Sequence, residues 1–234
     1  MNVEQLFTNL SYGELSNLSL SADGSGSIQE ERQPRIILYA NEGLLRLYSR
    51  FLLLEKDILI EMVEHITNYH FLKKFTESHH DPESEHYPYI KDLIGEPYEE
   101  DMLKILAVYN SLGQKVPLND NERIDSVFTP RDKLLQVPRP IDGASLSVLY
   151  QAKHPTLTID DLQQEIILPV VLEGALTAYI AYKVFSHMNT DVSSQKAQEH
   201  IQIFNNICDE VEDRDMVGSS VATTNARFGK RGWV

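Results

Sequence analysis

The residues best suited to chemistry form a cluster of imidazoles and carboxylates in the first half of the chain. Its members are His79, His80, Asp81, Glu83, Glu85 and His86. Side chains of these types can hold zinc or a similar divalent ion. No regular spacing fixes them on one element, and Pro82 and Pro88 lie among them and beside them. A solvated acidic loop is therefore the favoured interpretation, and a metal site is the alternative.

The common catalytic motifs are absent from the sequence. It contains no GxSxG, GxGxxG, GxxxxGK[ST] or HExxH pattern. The run Gly24-Ser25-Gly26 lacks the strand-turn-helix context of a phosphate loop and is better explained as a linker. The single cysteine, Cys208, excludes an intramolecular disulfide and falls on a predicted apolar helix face, where a thiol packs as a small hydrophobe. We therefore expect a non-enzymatic protein without a cofactor.

Composition and charge describe a folded, acidic protein. The 234 residues are 42% hydrophobic and 24% charged, which excludes global disorder. With 35 Asp and Glu against 21 Lys and Arg, the formal charge is −14, so most of the surface should repel nucleic acid and anionic membranes. The N-terminus has no secretion signal pattern and no apolar run reaches the ~18 residues of a membrane span, so we expect no membrane association.

Helical periodicity is clearest towards the two ends of the chain. Residues 3–10 predict a short amphipathic helix, and the Ser- and Gly-rich residues 11–27 predict a loop or flexible arm. From Pro34 the apolar residues follow 3-4-3-4-3 spacing, which predicts a helix of about 20 residues with proline in its first turn. The apolar positions are Ile37, Ala40, Leu44, Leu47, Phe51 and Leu54.

The middle third of the chain favours β-structure. Residues 56–72 carry β-branched and aromatic side chains typical of a bent strand or a hairpin, and residues 102–109, 134–137 and 145–153 predict three further strands. The Pro-rich stretch from Thr76 to Pro97 predicts an irregular connection with at most a helical turn near Tyr89 to Ile94. The strands together predict a small antiparallel sheet or barrel.

Two more helices are predicted after residue 165. The first, residues 168–188, is apolar nearly all round and should be covered on more than one side. The second, residues 194–213, has an apolar stripe that we expect to pack on the stripe of the Pro34 helix. The predicted fold class is therefore α+β: a helical bundle built from N-terminal and C-terminal helices, a small antiparallel β insertion, and an extended C-terminal arm.

These elements divide the chain into five predicted segments. They are an N-terminal arm (1–28), a bundle helix (29–55), a β-rich insertion (56–165), bundle helices (166–215) and a C-terminal arm (216–234). The C-terminal arm has three bases, no acid and the only tryptophan. Trp and Arg are the residue types most enriched at binding hot spots, which favours a docking role; a disordered, cleavable terminus is the alternative. The candidate contacts are Arg227, Phe228, Lys230, Arg231 and Trp233.

Seven segments, in this order along nearly the whole chain, carry a resemblance to a known family. They are SYGELSNLSL, ANEGLLRLYSRFLL, KVPLND, VFTPRDKLLQVPRP, LYQAKHP, ILPVVLEGALTAYIAYKV and RFGKRGWV. In this series the chain resembles the head-tail connector proteins of tailed bacteriophages, also called adaptor, neck or head-completion proteins.

The resemblance implies a virion protein, made in the host cytoplasm, that forms a homo-oligomeric ring below the portal, typically of twelve subunits. Residues 216–234 would dock on the portal protein and another surface on a tail or nozzle protein. Double-stranded DNA would pass through the lumen without specific binding during packaging and ejection. The implied portal contacts are Arg227, Phe228, Lys230, Arg231 and Trp233, with Val234 supplying a terminal carboxylate.

Two other functions stay open from the sequence. One is a metal-dependent enzyme that uses the cluster at residues 79–86 with nearby carboxylates, or more loosely a binding module that uses the same arm. The other is a tail-terminator-type ring protein, which would carry more β-structure and fewer long helices.

Overall fold

The computed structural model describes residues 1–16, 28–80, 83, 86–92, 97–188 and 190–217. Within them the chain has four α-helices and two antiparallel sheets, so the predicted α+β class is confirmed. The chain separates into two compact units. The helical unit combines Met1–Leu52 with the described residues from Thr156 onward and contains all four helices. The sheet unit is Leu53–Pro155 and contains both sheets.

The helices begin and end close to the residues that the sequence predicts. They are α1 (Val3–Tyr12), α2 (Gln33–Arg50), α3 (Val170–Ser186) and α4 (Asp191–Asp213). Pro34 lies in the first turn of α2, where a missing N–H costs nothing. α4 begins earlier than its periodicity predicts, because Thr190 and Ser193 form a reciprocal capping box. α2 ends at Arg50, so Phe51 and Leu54 lie beyond it.

α3 is the central helix of the helical unit. It packs against α4, α2 and α1, which confirms the expectation that an all-round apolar helix is covered on several sides. Gly43 allows α2 to approach α3 closely, since a Cβ at this position would lie 2.9 Å from side-chain atoms of both Leu176 and Tyr179. The expected pairing of the α4 stripe with α2 is wrong: α4 packs mainly on α3, where Phe204 meets Tyr179 with 5.4 Å between ring centroids.

The sheet unit contains a five-stranded and a three-stranded sheet. The larger sheet has the order β3-β1-β8-β4-β5 and the smaller one β2-β7-β6. The strands are β1 (Glu55–Glu61), β2 (Asn68–His70), β3 (Ile90–Lys91), β4 (Met102–Asn110), β5 (Lys115–Val116), β6 (Phe128–Arg131), β7 (Leu134–Gln136) and β8 (Ser145–Ala152). Strands β4, β7 and β8 confirm three predicted strands, and β8 buries Leu146, Val148 and Tyr150 on one face as expected.

Two details predicted for the sheet unit differ from the structure. Residues 56–72 contain strands as predicted, but they do not form a hairpin, because β1 pairs with β3 and β8 whereas β2 pairs with β7 in the other sheet. The stretch from Thr76 to Pro97, predicted to be irregular with at most a helical turn, contains strand β3, in which Ile90 is opposite Ile60. The strand was hidden because two residues are too few to show a period, and its conformation depends on pairing with a distant strand.

The interior of the sheet unit is rich in tyrosines whose hydroxyls are hydrogen-bonded. The Tyr89 hydroxyl donates to the His70 carbonyl at 2.8 Å and accepts from the His70 amide at 2.7 Å. The Tyr98 hydroxyl donates to the carbonyl of Phe71 at 3.2 Å. Tyr150 donates to the Asp101 carboxylate at 3.0 Å. These bonds tie loops to the sheets as well as filling the core.

Candidate functional site

The predicted portal contacts lie outside the described residues. This holds for Arg227, Phe228, Lys230, Arg231, Trp233 and Val234, and of the predicted arm only Met216 and Val217 are described. The Met216 amide donates to the Val211 carbonyl at 3.1 Å and so caps the end of α4. The docking role of the arm therefore stays a prediction.

The histidine cluster is described in part, since Asp81 and Glu85 fall outside the described residues. Nδ1 of His79 lies 2.9 Å from the Ser78 hydroxyl, and the His86 ring packs edge-on against Phe75 with 5.4 Å between centroids. Among the described residues, no group of three or more His, Cys, Asp or Glu side chains could hold a metal ion. The described members thus offer the metal-enzyme alternative no ligand set.

Asp92, which bonds to the residue that precedes this segment, has a structural role. Asp92 accepts hydrogen bonds from the amide of Ser78 at 2.8 Å and from the amide of Tyr98 at 3.0 Å. Burial acts to raise the pKa of Asp92, but these two bonds stabilise the ionised form and the net pKa is lowered. An ionised carboxylate with both oxygens engaged holds two loops together and is a poor general base.

The helical unit exposes apolar side chains on α2 and α4. Leu38 and Leu45 on α2 are 56% and 47% exposed, and Val192 and Ile203 on α4 are 67% and 45% exposed. Spacings of seven and eleven residues place each pair on one face of its helix. Apolar side chains repeated on one exposed helix face are available to contact another protein surface.

A third exposed apolar region is the first turn of α3. Val170 and Val171 are 80% and 38% exposed, and the preceding Ile167 is 46% exposed. The sequence predicted only that this helix is covered on more than one side. A pattern that is apolar nearly all round does not show which turn is exposed. The helical unit therefore has three surfaces suited to association.

The last turns of α4 form an acidic end, which we define as Asp209, Glu210, Glu212 and Asp213. Arg50 at the end of α2 pairs with Glu212 at 2.7 Å and with Asp209 at 2.6 Å. The hydrogen bond from Arg50 lowers the pKa of Glu212. Carboxylates at a helix C-terminus oppose the helix dipole, so this concentration of acids is not explained by the stability of α4.

Cys208, beside the acidic end, is part of the core as predicted. Its side chain is fully buried in the helical unit. Burial raises the pKa of the Cys208 thiol to about 11. The thiol is therefore neutral at physiological pH and is not an activated nucleophile.

No family model and no curated protein matches this chain. Across the described residues, none of the helices combines the length and apolarity needed to cross a membrane. Function is therefore inferred from the surfaces described above, from the charge of the chain and from the resemblance of its segments.

Proposed function

We propose that this chain is a structural protein of the head-tail junction of a tailed bacteriophage. In this proposal copies of the chain form a ring, typically of twelve subunits, below the portal. The ring joins the head to the tail and continues the DNA channel. The chain is then an assembly component of the virion and not an enzyme.

The observation that carries the proposal is the apolar surface of the helical unit. Leu38 and Leu45 on α2 and Val192 and Ile203 on α4 remain exposed, although each of these helices buries another face against α3. A single copy gains nothing from exposing two apolar helix faces, whereas neighbouring copies would bury them. This favours a ring wall made of a bundle of these helices.

The charge of the chain supports the same role. A formal charge of −14 gives a channel lining that repels the phosphate backbone, so DNA can move through without binding. The basic, aromatic arm at residues 216–234 differs from this acidic body and is suited to a protein partner. We assign the portal to the arm, and a tail or nozzle protein to another surface of the ring.

The test is negative-stain imaging and mass photometry of the purified chain mixed with the portal protein of the same virus. We expect rings bound to the portal. Deletion of residues 218–234 leaves the Met216 cap of α4 in place and should abolish portal binding while the truncated chain stays folded. A matched variant, Arg227→Ala with Trp233→Ala, should weaken binding in the full-length chain.

Each alternative function predicts a different outcome. Portal binding by the truncated chain would contradict the docking role of the arm. Rings that bind a tail tube and not the portal would indicate a tail-terminator-type protein. Stoichiometric metal, lost when His79, His80 and His86 are replaced by alanine, would favour the metal-dependent enzyme.

A further inference from the structure

We infer that a basic cleft at one end of the helical unit binds the acidic end of α4 from a second copy of this chain. The inference rests on the proposed ring and deepens it by naming a contact between its subunits. The cleft and the acidic end are different surfaces of the same unit, so the association is head to tail.

The basic cleft lies between the start of α2 and the end of α3. Its volume is about 350 Å³. It is lined by Arg32, Arg35, Ile36, Tyr39, Val184, His187 and Met188. Ile36 and Tyr39 are buried and form an apolar floor, whereas the arginines and His187 are exposed at the rim. A cleft with an apolar floor and a cationic rim suits a carboxylate on an aliphatic stem.

Cationic and imidazole groups converge on the Tyr39 ring. Arg35 Nε donates to the Tyr39 hydroxyl at 2.8 Å, and its guanidinium carbon lies 5.8 Å from the ring centroid. Lys183 Nζ lies 5.6 Å from the same centroid. The His187 ring stacks on Tyr39, with 5.7 Å between centroids and 10° between planes. Tyr39 therefore holds Arg35 in place with the remaining guanidinium donors available.

The two arginines of the cleft have no carboxylate partner among the described residues. Neither Arg32 nor Arg35 forms an ion pair there, although Glu30 and Glu31 precede them in a short 3-10 turn. Lys183 differs, because it pairs with Glu42 at 2.7 Å. Guanidinium groups match carboxylates through paired hydrogen bonds, so the cleft selects an anion.

The acidic end lies at the opposite end of α2. Arg35 and Arg50 are separated by 15 residues of one helix, which corresponds to about 22 Å. Arg50 pairs with Asp209 and Glu212 at that far end. Asp213 forms no ion pair within the described part of the chain, and Glu210 pairs only with the exposed Arg214. Carboxylates are thus available there but cannot reach the cleft of their own unit.

The overall charge explains why the occupant is a second copy. Two chains of −14 repel each other over most of their surface, so a stable contact between them needs a place where opposite charges meet. The basic cleft and the acidic end supply that place. Because the two surfaces differ, each copy can bind one neighbour at each end, and the assembly closes into a ring if the rotation per copy allows it.

Charge reversal at each surface tests the inference by sedimentation of the full chain. We expect Arg32→Glu with Arg35→Glu, and Glu210→Arg with Asp213→Arg, each to weaken self-association about tenfold or more. The two pairs combined in one chain should restore association. A mixture of the two variants should also associate beyond dimers, with the variants alternating, because each cleft then meets an end of opposite charge on both neighbours. The control matched to the cleft variant, Arg131→Glu with Arg139→Glu, makes the same change of net charge at exposed residues of the sheet unit.

Cysteine cross-linking provides a test that keeps all the charges. Met188→Cys lies at the cleft and Met216→Cys beside the acidic end, and both methionines are exposed. A disulfide needs Cα atoms within ~7 Å, so these two positions can be joined only between copies. We expect the double variant to form a ladder of covalent multimers on oxidation. Each single variant should stop at dimers.

Several outcomes would overturn the inference. The first is that the wild-type chain sediments as a monomer at every concentration. The second is that the double-cysteine variant gives no multimer above a dimer. The third is that the reversed-charge variants associate like the wild type. Rings on the portal that are unaffected by charge reversal would overturn this contact and leave the proposed function intact. Absence of wild-type rings on the portal would remove the proposed function itself.

Discussion

The helical unit and the sheet unit are stabilised by different kinds of interior. The buried face of α3 is apolar except for Thr177, and its neighbours add aliphatic residues such as Leu44 and Leu47. The interior of the sheet unit contains hydrogen-bonded tyrosine hydroxyls and the buried carboxylate of Asp101. Both interiors are therefore mainly apolar, and the sheet unit adds hydrogen-bonded hydroxyls and a buried carboxylate to its packed core.

This difference indicates how each unit responds to change. An apolar interior loses stability in proportion to the volume removed, and polar changes on its surface have little effect. An interior with buried polar groups is sensitive to single atoms, since an unpaired donor or acceptor is costly. The surface of the helical unit can therefore vary at little cost in stability, whereas the sheet unit is constrained at its hydroxyl and carboxylate positions.

The largest expected effect comes from truncating the helical core. Leu47 is fully buried on α2, so Leu47→Ala should lower the free energy of unfolding by about 2–5 kcal/mol. Leu45→Ala, on the same helix at 47% exposure, is the control and should change it by less than about 0.5 kcal/mol. Denaturant titration measures the free energy of unfolding, and hydrogen exchange of peptides from both units shows which unit is destabilised. Similar losses for the two variants would contradict the packing argument.

A smaller loss is expected from removing one buried charge in the sheet unit. Asp101 pairs with Lys56 at 2.6 Å and accepts from Tyr150, so Asp101→Asn should cost about 1–3 kcal/mol. Asp125 pairs with Arg123 in an exposed position, and Asp125→Asn should give no measurable change. If thermal denaturation showed equal effects, the Asp101 pair would have no special role.

A still smaller loss of stability is expected from removing a single buried hydroxyl group. Tyr89→Phe removes the group that bonds both the amide and the carbonyl of His70, and should cost about 1–2 kcal/mol. Tyr87→Phe, two residues away and 46% exposed, serves as the control. Faster hydrogen exchange at His70 in the first variant alone would support the polar interior, and unchanged exchange would count against it.

Much of the regular structure was predictable because its signal is local. The 3-4 spacing and Pro34 indicated α2, and alternating residues indicated β4 and β8. Strands β3 and β5 were not predictable, since each has two residues and is fixed by a distant partner. An apolar stripe also shows that a face is buried without showing what covers it, and so the partner of α4 was assigned wrongly.

The candidate site was predictable to a lesser degree. The arm could be singled out by composition, but its residues lie outside the described part of the chain. The basic cleft joins the start of α2 to the end of α3, about 150 residues apart, and no local motif spans that distance. In the sequence, the cleft is indicated only by Arg32 and Arg35. From the sequence alone, these arginines would be expected to pair with the adjacent Glu30 and Glu31.

A further expected effect distinguishes the two units by their response to alkaline pH. Burial raises the pKa of Cys208 from 9.0 to about 11, so the thiol ionises first in the unfolded chain and the free energy of unfolding falls as pH rises from 9 towards 11. In the sheet unit burial raises the pKa of Tyr89 and Tyr98 above 10.0, so the corresponding loss begins about one pH unit later. Hydrogen exchange across this pH range, with Cys208→Ala as the control, shows which unit loses stability first.

The insertion of the sheet unit between α2 and α3 affects synthesis of the chain. α2 ends at Arg50 and its main partner begins at Val170, so 119 residues are translated between them. At ribosomal speeds this delay is on the order of ten seconds. During that time the apolar stripe of α2 has no native partner, whereas the sheet unit is already complete in the nascent chain. The newly made α2 is therefore a natural substrate for chaperones until the C-terminal helices emerge.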